Sequence, residues 1–304
     1  MSCISLTLRR AVMKTILVPT DFSKHSDWAS RAALSLAKKT GATVHLLYVV
    51  DVPQYAFSAA HEMWNMEERQ RLAGEAYQKL KSMVSEPPFS GFSVQFAVEQ
   101  GTPYEMICDY ATQKSIDLIV MGSHGVTGLR KIFIGSTTEK VIHQAPCPVL
   151  SIKNEHFPAE LRNIVFASNF YGEVYDAFAN AQRFAERFGA KLHLVRINTQ
   201  ARFETTRYTN KVFQDFLEQA KPKNYTLNIY NDESEETGVL NFAEDIGADL
   251  IIMTTHERTR LSELINPSIA ENVAERSPVP IMTIKLPAPA FRYELSRADR
   301  TYLM

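Results

Sequence analysis

The chain alternates short, unbroken apolar runs with longer segments whose apolar positions recur every three or four residues. "TILVPT" from Thr15, "HLLYVV" from His45 and "DLIVMG" from Asp117 are runs of the first kind. Continuous hydrophobicity over so few residues predicts strands covered on both faces by helices. "FSVQFAV" instead alternates, putting Phe92, Val94, Phe96 and Val98 on one face, which predicts a less completely covered strand. Between the strands lie helical patterns. Trp28, Ala32, Leu36 and neighbouring alanines form one stripe, and Gly41 is placed to end it. A second helix is predicted over roughly 62–84, and a third opens after Gly101-Thr102-Pro103 and runs to about Gln113. Strand–helix alternation of this kind builds a parallel, doubly wound α/β sheet with right-handed crossovers.

The pattern occurs twice. "KTILVPTDFSKHSDWASRAALSLAKKTGATVHLLYVVD" from Lys14 lies over "RNIVFASNFYGEVYDAFANAQRFAERFGAKLHLVRINT" from Arg162, an offset of 148 that pairs Asp21 with Asn169, Gly41 with Gly189 and His45 with His193. Further on, "DLIVMGSH" from Asp117 matches "DLIIMTTH" from Asp249, and "APCPVLSIK" from Ala145 matches "SPVPIMTIK" from Ser277, both at an offset of 132. A period this long is a duplicated domain and not a solenoid repeat. The expected organisation is an extension over 1–12, a first domain over 13–153, a second over 154–286 and a tail over 287–304.

Composition narrows the class without naming it. Of 304 residues, 45% are hydrophobic and 22% charged, as in ordinary globular domains, and the net charge of -1 argues against nucleic acid or a polybasic membrane surface as partner. Three cysteines, Cys3, Cys108 and Cys147, are too few and scattered for a disulfide framework and fit a reducing cytoplasm. No apolar run is long enough to predict a transmembrane helix. In "MSCISLTLRRAV" the arginines follow the apolar part, the wrong order for a signal peptide; "MKTILVPTD" from Met13 reads as a natural start.

The chemistry concentrates where an apolar strand run gives way to "GSHGVTGLRKIFIGSTTEK". Ligands of open parallel sheets bind beyond the carboxyl ends of the strands. Gly122, Gly125, Gly135 and Ser136 have the spacing Gly-x2-Gly-x9-Gly-Ser. Glycines allow close approach of the main chain, successive N–H groups hold anions, and a following helix adds its free N–H groups and positive dipole end. The spacing reads as a phosphate cradle. Plain turns also use glycine, and Ser136-Thr137-Thr138-Glu139 fits a capping box. The repeat separates these readings. Ser268-Ile269-Ala270-Glu271 keeps the capping pattern, while Gly122, Gly125 and Gly135 become Thr254, Glu257 and Pro267. Capping alone does not require the glycines.

Pro19-Thr20-Asp21 closes the first strand run. A carboxylate there can accept hydrogen bonds from a sugar hydroxyl or an adenine amine; equally, Asp21 can cap the next helix. Asn169 in the repeat could cap as well but carries no charge, and Glu257 would set a carboxylate against any phosphate of a second site. The second edge is expected to be closed to triphosphates.

These motifs resemble the universal stress protein family in tandem form: "KTILVPTDFS", "DLIVMGSHGVTGLRKIFIGST" and "HQAPCPVLSIK" resemble its hallmarks, and the glycine spacing with its serine that of its ATP-binding branch. The resemblance is strong over 14–153 and weak over 162–286. It implies two Rossmann-like domains of the adenine nucleotide alpha hydrolase type, each a five-stranded parallel sheet, in a cytoplasmic stress-response protein. It implies ATP, with Mg2+ as counter-ion, across the first sheet edge. Pro19, Thr20 and Asp21 would meet adenine and ribose, and the Val49 backbone would hold the base. Met121, Gly122, His124, Gly125, Gly135, Ser136, Thr137 and Thr138 would surround ribose and phosphates. No site carries over to the second half. The family pairs subunits through the last strand; here "CPVLSIK" and "VPIMTIK" could pair within one chain, as an intramolecular pseudo-dimer able to dimerise again.

Other classes are weaker. No P-loop and no Gly-x-Ser-x-Gly elbow occurs, so at most slow ATP hydrolysis is expected and no catalytic residue is assigned. His124, Arg130 and Lys131 read as solvated loop residues, and Cys108 and Cys147 as small buried hydrophobes. A metal site from His143 and Cys147 would need a helix running through Pro146. The runner-up to a nucleotide-binding regulator is an interaction module that dimerises and binds partners without nucleotide.

Overall fold

A computed structural model of the chain describes residues 13–51, 59–123, 135–171, 174–255 and 269–286, with side chains of 59–65 excepted. The first half contains β1 (Thr15–Pro19), α1 (Lys24–Thr40), β2 (Thr43–Asp51), α2 (Ala59–Ser85), β3 (Val94–Gly101), α3 (Pro103–Gln113), β4 (Leu118–Gly122), α4 (Ser136–Gln144) and β5 (Val149–Ile152). The second contains β6 (Asn163–Ala167), α5 (Val174–Phe188), β7 (Lys191–Thr199), α6 (Thr206–Ala220), β8 (Tyr225–Asp232), α7 (Glu235–Asp245), β9 (Leu250–Thr255), α8 (Ile269–Arg276) and β10 (Ile281–Lys285).

The strands form one ten-stranded sheet in the order β3-β2-β1-β4-β5-β10-β9-β6-β7-β8. Every pairing is parallel except β5 with β10, where Val149 faces Thr283 and Ser151 faces Ile281 antiparallel. Each half is thus a five-stranded parallel set, and the two sets share a single sheet. Strands buried on both faces read as continuous apolar runs, and β1 shows why: Ile16 and Val18 join the core layer beneath α1, while Leu17 joins the opposite layer beneath α3 and α4. Both layers run through both halves without a break. Phe166, Phe178 and Phe216 in the second half are among the largest fully buried side chains, each stabilising by roughly 1.5–3 kcal/mol. The alternating run over 92–98 becomes β3, an edge strand, with Phe92, Val94, Phe96 and Val98 half-buried against one layer only.

Helix ends follow local chemistry. Ser23 caps α1 by accepting the Ser26 N–H, and Gly41 ends it with φ 72°, its N–H donating to Ala37 O at 2.8 Å. At the opposite edge of the sheet, Asp117 Oδ2 accepts the Lys14 and Thr15 N–H groups at 2.8 and 3.0 Å; Asp249 Oδ2 repeats this with Arg162 and Asn163. That edge is built alike in both halves. The carboxyl edge is not.

Candidate functional site

Strand order reverses between β1 and β4: β2 and β3 extend to one side of β1, β4 and β5 to the other. The crevice outside the carboxyl ends at such a point is where open α/β sheets take ligands. Three of the expected segments arrive there: Pro19-Thr20-Asp21 after β1, Val49 on β2, and Met121-Gly122 with Gly135 to Thr138 after β4. His124 and Gly125 lie outside the described residues, as do Arg130, Lys131, Glu257, Pro267, 1–12 and 287–304.

The main chain, more than the side chains, faces this crevice. Thr20 N–H donates to Leu47 O on β2 at 2.8 Å, and Asp117 N–H to Thr15 O, so odd residues of β1 turn their amides toward β4. Pro19 is one of them and has no N–H to give. The register between β1 and β4 accordingly covers Ile16–Leu118 and Leu17–Ile119, two rungs. In the second half Ala167 stands where the first has Pro19, and β6 pairs β9 over four rungs, to Ala167–Met253. The first half therefore leaves the switch point unladdered where the second closes it. On β2, Thr43 N–H reaches Lys14 O and Leu47 O takes the Thr20 N–H, so odd residues face β1. Val49 is the next of these, past the end of β1, and its amide groups look toward the crevice.

Several expected contacts are placed differently. Thr20 is buried, its hydroxyl donating to Ser26 Oγ and accepting Phe22 N–H, each at 3.1 Å, so its side chain is used inside the protein. Asp21 is not the helix cap, which is Ser23; its Oδ1 accepts the Ser23 N–H at 2.9 Å in a tight turn. Asn169 makes the same bond to Tyr171 N–H at 3.2 Å, and Phe22 and Phe170 both take φ 61°. The turn is common to both halves, so the Asp21 charge is not needed to build it. The Met121 side chain is buried in the layer under α3 and α4, and its main chain is in register with Ser151 on β5, the side away from β1.

Gly122 has a reason the sequence did not show. A Cβ there would lie 2.8 Å from His25 Cβ and 2.9 Å from the His25 carbonyl carbon and oxygen, so the start of α1 packs directly on the end of β4. Close approach is real, but it is by the protein's own backbone. Gly135, with φ -60° and ψ 140°, is the N-cap of α4; Ser136 is the first helical residue and not the cap of a capping box. Gly135 has no side chain with which to cap the helix, so among the described residues the first-turn N–H groups are not spent on a side-chain cap. Gly135 N–H donates to Ser123 O at 2.7 Å, closing the loop that leaves β4, and buried Thr138 donates its hydroxyl to Gly122 O at 3.0 Å. Thr138 ties α4 to the strand end. Ser136 is exposed and Thr137 half-buried beside it. The arrangement can hold an anion on bare amides at a helix start.

The second edge is filled by side chains. Arg196, 6% exposed, stands at the repeat position of Tyr48 and donates through Nη1 to Asn169 O. Its Nη2 meets Glu204 at 2.5 Å and the Tyr171 hydroxyl at 2.9 Å, and the guanidinium lies 4.6 Å from the Tyr171 ring centre. Burial pushes the Tyr171 phenol above its ordinary pKa, so it stays neutral. The sequence signal for this network is a charge inside the apolar run "LHLVRIN".

Comparison with known proteins agrees with this architecture. The model of the universal stress protein family matches residues 13–153 and again 160–285. The universal stress protein MJ0531 of Methanocaldococcus jannaschii is 39% identical over 142 residues, covering 46% of this chain and 82% of that protein. MJ0577 of the same organism is 31% identical over 156 residues, covering 47% and 96%. A crystal structure of a universal stress protein from Archaeoglobus fulgidus shares the fold over 91% of this chain and 97% of its own, with TM-score 0.67 at 21% identity. Two matches in succession, on two halves of one sheet, place this chain in the universal stress protein family as a tandem member.

Proposed function

We propose that the protein is a cytoplasmic stress-response regulator that binds ATP at the carboxyl edge of its first half, and only there. The observation that supports this best is the contrast between duplicated edges. In the first, β1 and β4 end their register early at Pro19 and α4 starts without a side-chain cap; in the second, the ladder continues and Arg196 occupies the turn at Asn169. A polyphosphate needs main-chain amides and room, and among the described residues those features are on the first side.

In this reading the first-turn amides of α4, Ser136, Thr137, Gly122 and the Gly125 loop hold the phosphates, with Mg2+ as counter-ion when present. The Val49 main chain meets the base, and Pro19, Thr20 and Asp21 line the base and ribose. Asp21 supplies a charge that Asn169 lacks. No residue is given a catalytic role, and hydrolysis is at most slow. The β5–β10 pairing serves as a built-in counterpart of a subunit interface, a pseudo-dimer that can pair again with a second copy.

Purified full-length protein should release adenine nucleotide on acid extraction, and calorimetry of nucleotide-free protein should give one ATP per chain. No nucleotide in the extract and no heat at millimolar ATP would replace this reading with the interaction module. Rapid phosphate release, abolished by Gly125→Glu, would replace it with an ATPase.

A further inference from the structure

Helix α4 has one end at the proposed phosphate site and the other at the second half of the chain. His143, in its last turn, is 9% exposed, and its Nε2 is hydrogen-bonded to Glu271 Oε1 of α8, itself 6% exposed. An imidazole and a carboxylate share this bond away from water, where losing the acceptor is costly to the imidazole. Besides its apolar packing through Val141 and Ile142 and the Lys140 ammonium over the Tyr104 ring of α3, α4 is fastened at its start by Thr138 on Gly122 O and in its last turn by this pair. A nine-residue helix that starts on a glycine cap has little stability of its own; its position is set by what it is fastened to.

The pair is also one-sided. At the 132 offset His143 corresponds to Glu275 and Glu271 to Glu139, so the mirror-related contact would join two glutamates. Like the unladdered crevice, it belongs to the duplication's asymmetry, and it acts on the helix that carries the proposed site.

We infer that Glu271, in the half with no nucleotide site, is a positioning residue for the site in the other half: through His143 it holds α4 so that the first-turn amides stay aimed at the phosphates. This rests on the ATP reading above. The test is calorimetric titration of the full chain with MgATP, comparing wild type, Glu271→Met, Glu271→Gln and Arg187→Ala. Glu271→Met keeps the side-chain length and removes the acceptor; it should bind about tenfold more weakly, a typical coupling between distinct sites. Glu271→Gln keeps an oxygen for the Nε2–H and should stay within about threefold. Arg187→Ala removes another bond between halves, Nη2 to Thr40 O at 2.8 Å, away from α4, and should stay within about twofold. If Glu271→Met does not fold, His143→Leu cuts the same bond from the other side with the same expectation. Wild-type affinity in the Met or Leu variant overturns the inference. So does a Gln variant as weak as Met, or an equal loss in Arg187→Ala, which would mean general loosening. A wild-type chain that binds no nucleotide removes the ATP reading itself, an outcome distinct from binding that ignores Glu271.

Discussion

The two carboxyl edges of this sheet share a backbone plan and differ in what occupies it. Each has a turn after its first strand with a side chain accepting an N–H two residues on, and a phenylalanine at φ 61°. Each has a strand entering a short helix, α4 in one half and α8 in the other. In the first half the ladder stops early and the helix starts on a bare glycine; in the second the ladder runs on and a buried arginine takes the turn's carbonyl. The fold does not require its edge to be open. Openness is a separate feature, carried by Pro19, Gly135 and a Tyr48 where the second half has Arg196.

The largest effect that bears on this comparison is expected at the filled edge. Arg196→Ala leaves the Asn169 carbonyl, Tyr171 and Glu204 without their cation and should lower unfolding free energy by about 3 kcal/mol in urea melts. A cost below about 1 kcal/mol would mean the network is not what closes this edge. Next, Gly125→Glu copies Glu257 into the first half and should weaken ATP binding at least about a hundredfold in calorimetry, by like-charge repulsion, while the ligand-free melting temperature barely moves. Gly122→Ala sets a Cβ against the His25 backbone and should cost about 2 kcal/mol of stability in the same melts. Asp21→Asn copies Asn169. Because Asn169 makes the same turn bond, stability should stay within about 0.5 kcal/mol while ATP affinity falls roughly tenfold. A matching loss of stability would make Asp21 a turn residue only.

The smallest effect concerns something the halves share. His45, bonded to Tyr110, and His193, bonded to Thr226, both have pKa values held below the ordinary 6.5, first by burial and then by Lys114 and Lys191 respectively. Below that value the unfolded chain takes up protons that the folded chain refuses. Stability should therefore be full above the ordinary histidine pKa and decline as pH falls through it toward the folded values. Urea melts at neutral and mildly acidic pH should show this slope, flattened in the His45→Gln, His193→Gln double variant.

Much of the fold was legible because it rests on local pattern. Continuous apolar runs announced β1, β2 and β4, alternation announced the edge strand β3, and Gly41 announced the end of α1. The repeat register carried these into the second half. The site was legible as segments and not as contacts. "STTE" fits a capping box, yet a tertiary bond from Gly135 N–H to Ser123 O goes with a helix start that makes the glycine the cap. Gly122 reads as ligand clearance, yet its need is set by His25, far away in sequence. Thr20 and Thr138 read as ligand contacts, yet both hydroxyls are used inside the protein. The Arg196 network and the His143–Glu271 pair join residues that no period or motif connects. Even so, the Pro19-for-Ala167 difference stood in the aligned repeats all along. Its meaning appears only when the parity of β1 shows which way the missing N–H would point.

The most direct test of the asymmetry is a crystal of the full chain soaked in MgATP and inspected at both edges. One nucleotide is expected, its phosphates on the first-turn amides of α4 and its base beside the Val49 main chain, with Arg196 still on Asn169 at the second edge. An empty first edge, or nucleotide in the second, would contradict the account.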